Sequence, residues 1–315
     1  GLLPWFNCLH PIIRNIMTTA VATEISYEDV IHAIQKNIPT LPQILEELIE
    51  RLSDVDSCLE SIEDLVEVDQ AIASRILKVS NKVEFLEPDE PRITSVHDAL
   101  HKIGLEHAKR IALNVSVLNL MENVDFPPDF RFAFLWQHSL GVAVASSILS
   151  EATGYENPDQ AYTGGLVHDI GKLIKIKFDQ EEFCDEIRAA REGNLDLRDF
   201  ELTNECLLHD KLGSMMMDFW QMPFELSAVI RHHHVANRAN RAGVECVELH
   251  HLIDVVYLAN LLVKKLQIGN SGHNVAKTPS PGFLEAYGLD EERLEEIEQD
   301  ILSKFEESSS FLATL

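Results

Sequence analysis

An all-α fold, a multi-helix bundle, is predicted by two observations. Apolar residues recur at spacings of three and four through nearly every segment, and alternating apolar–polar runs bounded by turn residues are scarce. The elements follow in order. Residues 26–36 read as a helix, with the hydroxyl of Ser26 ahead of acidic first-turn residues. Pro39 and Pro42 open the next helix, which Ser53 and Asp54 close. The stretch SCLESIEDLVEVDQAIASRILKVSN gives two short helices, one ending at Val68 and one from Gln70 to Val79, with Asp69 as the cap between them. EPDEP is a loop, TSVHDALHKIG a helix that stops at Gly104, and EHAKRIALNVSVLNLM another helix. Pro127 and Pro128 forbid helix and impose an extended link. Beyond it, longer helices are expected over 130–152, 158–178, 181–192, 205–220, 223–234 and 247–266; 269–282 is loop, and one or two acidic helices finish the chain. The expected organisation is an N-terminal extension (1–25), a helical part (26–126), a helical core (127–266) and a loop with an acidic helical tail (267–315).

Composition narrows the class. A chain of 315 residues with 45% hydrophobic content can bury a large core. Its 26 basic residues stand against 52 acidic ones, a net charge of -26, so no basic stripe is available to displace counterions from phosphates and no nucleic-acid partner is expected. The densest acidic block, LDEERLEEIEQDILSKFEE, reads as a solvated helix face. No apolar run reaches the ~18 residues of a membrane span, so none is expected. The apolar N-terminal stretch is interrupted by His10 and Arg14 and lacks a basic start, which makes it a poor signal peptide. Cysteines 8, 58, 184, 206 and 246 contain no CxxC pair, so neither a disulfide framework nor a zinc ribbon is indicated, and the reducing cytoplasm is the expected compartment.

The chemistry gathers in the second half. Eight of the fourteen histidines fall between 138 and 251, at positions with apolar neighbours. In TGGLVHDIGKL, His168 and Asp169 sit inside an otherwise apolar run, and burying them costs several kcal/mol unless they find partners or a metal ion. Imidazole and carboxylate together suit iron, manganese, nickel or zinc, and ligands from four or five helices of a bundle can build a two-metal site. Trp136, Phe219, Trp220 and Met215 to Met217 read as packing.

His138, the His168–Asp169 pair, Gly171 and Lys172 resemble the HD phosphohydrolase superfamily, in which a His, a His–Asp pair and a final Asp hold a catalytic metal. IPTLPQILEEL, DLVEVDQAIASRILKVSN with Asn81 at its end, ITSVHDALHKIG and HDKLGSMMMDFWQMPFELSAVIRHHH are similar to the HDOD family, the HD-related output domains, over residues 28–265. The resemblance implies an HD-domain-like core with an N-terminal helical subdomain. It also implies metal ligands at His138, His168, Asp169, His209, His233 and His234, holding one or two divalent ions of iron, manganese, nickel or zinc. Lys172 matches a phosphate-contacting lysine of hydrolytic relatives and is catalytic only if the chain is a hydrolase. Two departures count against hydrolysis. Asn260 takes the place of the final Asp, and a neutral amide is a weaker ligand; Asp254 replaces it only if the register shifts. The HD-GYP branch has a Gly-Tyr-Pro segment where this chain has HHHVANRANRAG. The resemblance therefore implies a cytoplasmic module of bacterial signal transduction whose degenerate HD-type site binds a protein partner or small ligand. The alternative is a metal-dependent phosphohydrolase acting on a phosphoester or nucleotide.

Overall fold

A computed structural model describes residues 27, 46–49, 51, 58–82, 85, 90–122, 126–127, 130–273 and 275–312. Among these there are α-helices and a short 3-10 turn but no strand, as the helical spacing predicts. The extension 1–25 and nearly all of the helix expected over 26–36 lie outside the described residues. Of the segment expected to open at Pro39, residues 46–49 and 51 are described, and they are helical. The chain divides into two compact units, one within Pro39–Asn123 and Glu307–Leu315, the other within Gly1–Ile38 and Val124–Glu306.

The smaller unit is built on α1 (Leu59–Val68), α2 (Gln70–Ser80), α3 (Val96–Ile103) and α4 (Leu105–Glu122). Asp69 caps α2 as expected: its Oδ1 accepts from the backbone N–H groups of Ala71 (2.8 Å) and Ile72 (3.0 Å), two donors that a helix start otherwise leaves unpaired. Ile62, Val66, Ile72, Ile76 and Leu100 meet in its core. Asn81 ends α2 and stitches it to the following loop, donating from Nδ2 to the carbonyls of Leu77 and Ile93 and accepting from the Ile93 N–H. Gly104 stops α3 at φ +81°, a left-handed value that favours glycine.

The larger unit is organised on α5 (Phe132–Thr153), which is buried without interruption from Leu140 to Ser150. Against it pack α6 (Pro158–Val167) and α12 (Val247–Lys265). Contrary to the sequence expectation, α5 is long and apolar enough to cross a membrane; no other described helix is, and 78% of its most apolar window is buried inside the fold. Its composition is that of a helix surrounded by partners on all sides.

Between α6 and α12 lie α7 (Ile170–Phe178), α8 (Gln180–Glu192), α9 (Leu197–Thr203), α10 (His209–Phe219) and α11 (Phe224–His232); α13 (Pro281–Glu285) and α14 (Glu291–Leu312) follow. The single helix expected over 158–178 is two helices. The break falls at His168–Asp169, where Asp169 (φ -98°, ψ 12°) leaves helical geometry and becomes the N-cap residue of α7. Residues 161–176 are buried without interruption across the break, so apolar character runs through it and periodicity does not reveal it. The short helix α9, capped by the Asp196 carboxylate, is absent from the sequence expectation, and α10 starts at His209 rather than 205.

Glycines set the close approaches that bring these helix ends together. A Cβ on Gly171 would lie 1.8 Å from the carbonyl oxygen of His209, and one on Gly165 would lie 2.8 Å from that of Val142. Gly171→Ala is therefore expected to destabilise the protein by about 3 kcal/mol or more, since backbone rather than a flexible side chain must move. Gly282→Ala, at a helical position with open space around it, should stay within about 0.5 kcal/mol of wild type. Urea midpoints of the two variants check the contrast.

Candidate metal centre

Four short segments bring the predicted residues to one place. His138 comes from the first third of α5, His168 and Asp169 from the turn between α6 and α7, His209 from the first turn of α10, and His233 and His234 from just past α11. His138, His168 and His233 have no exposed surface, and Asp169 keeps 3%. The Asp169 carboxylate lies at the middle. Its Oδ2 faces His168 Nε2 at 3.3 Å and His138 Nε2 at 3.8 Å; its Oδ1 faces His209 Nε2 at 3.4 Å and His233 Nε2 at 3.6 Å. His209 Nε2 also lies 3.1 Å from His234 Nε2. Two groups of ligand atoms result, Asp169 with His138 and His168, and Asp169 with His209, His233 and His234, each within 4.8 Å overall.

The outer hydrogen bonds fix the imidazole tautomers. His168 Nδ1 meets the Gly165 carbonyl (2.7 Å), His233 Nδ1 the Ile230 carbonyl (2.8 Å), and His209 Nδ1 the Glu201 carboxylate (2.7 Å). Carbonyls and carboxylates only accept, so each Nδ1 carries the proton and each Nε2 points a lone pair inward. Burial holds His138 and His234 well below the ordinary imidazole range and lowers His233 to about 4. Burial alone would raise Asp169, but His168 and Lys172 beside it hold its carboxyl well below the usual range.

These residues fit a divalent transition metal. Both ring nitrogens of His138, the Nε2 atoms of His168 and His233, and Oδ1 of Asp169 are buried without a hydrogen-bond partner. Each orphan costs about 1–3 kcal/mol, and ligation would satisfy all the inward-facing ones together. Imidazole nitrogens with a single carboxylate suit iron, manganese, nickel or zinc rather than calcium or magnesium.

The remaining predicted residues fall out differently. Lys172, 2% exposed, is committed to Asp169, its Nζ 2.6 Å from Oδ2. Asn260 is buried on α12 with its Oδ1 unpaired, and it lines a cavity of about 210 Å³ together with His233, His234, Tyr257, Arg198 and Lys264. Asp254 is elsewhere engaged: Arg238, Arg241 and the Tyr287 hydroxyl all donate to it. Sequence reasoning missed Glu201. It is fully buried on α9, accepts from both Nδ1 and the backbone N–H of His209, and takes an ammonium hydrogen bond from Lys175 (2.8 Å), which also binds Glu186. These partners hold Glu201 far below the ordinary carboxylate range against the opposing effect of burial. Its one sequence signal was a spacing of four from the buried Leu197, which many solvated glutamates share.

An all-helical unit that gathers a His, a His–Asp pair and three further histidines defines an HD-type module. The HDOD domain family model matches residues 38–236. The chain belongs to the HDOD family. Three crystal structures share the fold: an HDOD domain protein of unknown function from Geobacter sulfurreducens (TM-score 0.69, 22% identity, covering 89% of this chain and 94% of that one), a protein assigned provisionally to signal transduction from Marinobacter aquaeolei VT8 (0.71, 18%, 94% and 67%), and a provisional phosphohydrolase from Shewanella amazonensis SB2B (0.61, 17%, 87% and 93%). An uncharacterized protein of Treponema pallidum (strain Nichols) is 24% identical over 235 residues, 73% of this chain; the matched part is 43% of that relative's length.

The buried imidazoles make the metal-free fold acid-sensitive. His138, His233 and His234 have folded pKa values below the 6.5 of the unfolded chain, so between about pH 6.5 and 4 the unfolded state binds more protons and stability falls as pH falls. His209, raised by Glu201 despite its burial, opposes this, as do Glu182, pushed up to about 7 by burial, and Glu186, raised by burial, while His232, lowered by burial, adds to it. Urea midpoints of the metal-stripped protein should drop from pH 7.5 to pH 5, and the decline should shrink in His138→Phe.

Proposed function

We propose that this chain is a regulatory module of bacterial signal transduction whose HD-type centre holds a divalent transition metal as a structural and ligand-sensing element, without turning over phosphoesters. One observation carries the reading. Lys172, the residue a hydrolase would use against a phosphate, is buried and hydrogen-bonded to Asp169, and neither residue lines the cavity beside the centre. That cavity is lined by His233, His234 and the neutral Asn260, and its two carboxylates, Asp196 and Asp199, are paired with Lys264 and Lys277 rather than free to activate a water. The provisional assignment of the Marinobacter structure to signal transduction supports the class. The net charge of -26 speaks against a nucleic-acid partner and for a protein partner or small ligand. The four described cysteines are free, which supports a reducing, cytoplasmic setting.

The second reading is a metal-dependent phosphohydrolase acting on a phosphoester or nucleotide, and the convergence of five imidazoles on one carboxylate favours it. A bound ion would lower the pKa of a water and neutralise charge developing on phosphate. In either case this chain's own part is the same: Asp169 supplies the shared carboxylate, the Nδ1 hydrogen bonds aim the rings, and α5 and α7 exclude solvent.

The experiment compares wild type with His209→Ala and Asp169→Ala in the presence of manganese, iron, nickel or zinc. We expect a metal-dependent rise in melting temperature that both variants lose, because an ion that binds only the folded state stabilises it by mass action. Hydrolysis of a chromogenic phosphodiester and of cyclic dinucleotides should stay at background. Metal-dependent turnover that disappears in both variants would establish the hydrolase instead.

A further inference from the structure

Resting on the reading that the centre holds metal, we infer that its two halves are unequal: a single ion is held at Asp169, His209, His233 and His234, with Glu201 as the positioning carboxylate, while Lys172 stands in for the charge of a second ion at Asp169, His138 and His168.

The halves differ in donors, support and competing charge. The first offers four ligand atoms and the second three. In the first, His209 is backed by the Glu201 carboxylate at 2.7 Å and His233 by a backbone carbonyl at 2.8 Å. A carboxylate behind an imidazole orients the ring and strengthens its lone pair, and removing such a partner typically weakens metal affinity about 10- to 100-fold. Glu201 is itself held rigidly: it has no exposed surface, its second oxygen is bound to Lys175, and Lys175 is anchored by Glu186 and the Leu207 carbonyl. In the second half, His168 is likewise backed by the Gly165 carbonyl at 2.7 Å, but His138 has no hydrogen-bond partner on either nitrogen, so nothing hydrogen-bonded fixes its ring or its tautomer.

The competing charge decides between them. Lys172 approaches Oδ2 of Asp169 to 2.6 Å, closer than His168 or His138, and it reaches the oxygen that faces only the second half. A dication bound through Oδ2 would share that oxygen with an ammonium that is 2% exposed and so little screened by solvent. Oδ1 has no such neighbour: it is unpaired and faces His209 and His233. The shared carboxylate is thus neutralised on one side by the chain's own cation and left open on the other.

Calorimetric titration of the metal-stripped full chain with Mn²⁺, with elemental analysis after dialysis, tests this. Wild type should take up one ion; Glu201→Gln should weaken it about 10- to 100-fold, and His138→Ala should retain it. Lys172→Met, which removes the ammonium at similar volume, should raise the stoichiometry to two. Two ions of equal affinity in wild type would overturn the inequality and leave the proposed function standing, whereas no uptake at all would remove the metal reading on which both rest. Should circular dichroism show Glu201→Gln to be unfolded, His209→Ala against His138→Ala decides the same point: loss of the ion in the first and retention in the second is expected, and the reverse overturns the inference.

Discussion

Unprotonated electron pairs converge on a buried carboxylate, and the larger unit is arranged around that constraint. His168, His209 and His233 each give their proton outward, to a carbonyl or to Glu201, and so turn a bare nitrogen toward Asp169 at 3.3 to 3.6 Å. Acceptors facing acceptors in a dry interior repel unless a cation lies among them. Lys172 supplies one such cation on Oδ2. A divalent ion on the side of Oδ1 would supply the other. The tautomers, the depressed basicity of His138, His233 and His234, and the orphaned nitrogens belong to one arrangement.

Apart from His138, which projects from within α5, that arrangement is held by helix ends. Asp169 and His168 occupy a break between α6 and α7, His209 opens α10, and His233 and His234 follow α11. A helix end can aim a side chain across a junction where several elements meet, and glycines let those ends come close enough to do so. At Gly171 the backbone of α7 lies directly against the carbonyl of His209. The long apolar helix α5 serves as the floor, which explains a composition that on length and hydropathy alone would suit a membrane.

Buried charge recurs through the larger unit in sets: Lys175 with Glu186 and Glu201, Lys264 with Asp196, and Arg241 with Asp254, which the exposed Arg238 also binds. Such sets seldom add net stability over apolar packing, because desolvation offsets the attraction. They do fix geometry. Glu201 illustrates this, since the ammonium that neutralises it also holds it against His209. Asp254, which sequence alignment leaves as a substitute for Asn260 only under a register shift, is removed from that role by its two arginines.

Much of the fold was legible in the sequence because it rests on local rules. Helical spacing marks α1 to α4, Asp69 is readable as a cap since its side chain bonds residues two and three positions ahead, and Gly104 as a stop since it needs a left-handed backbone. The histidines and Asp169 stood out because polar residues in apolar runs demand a partner. What sequence alone did not reveal depends on residues far apart in the chain. The break at His168–Asp169 is hidden because the residues on both sides of it are buried without interruption. Glu201 looked like any acidic helix residue until α9 brought it beneath His209, eight positions on. The commitment of Lys172 to Asp169 was a matter of rotamer and burial, which spacing does not specify. Local propensity and periodicity are written residue by residue, whereas the allocation of one carboxylate among five imidazoles and an ammonium exists only once the helices have packed.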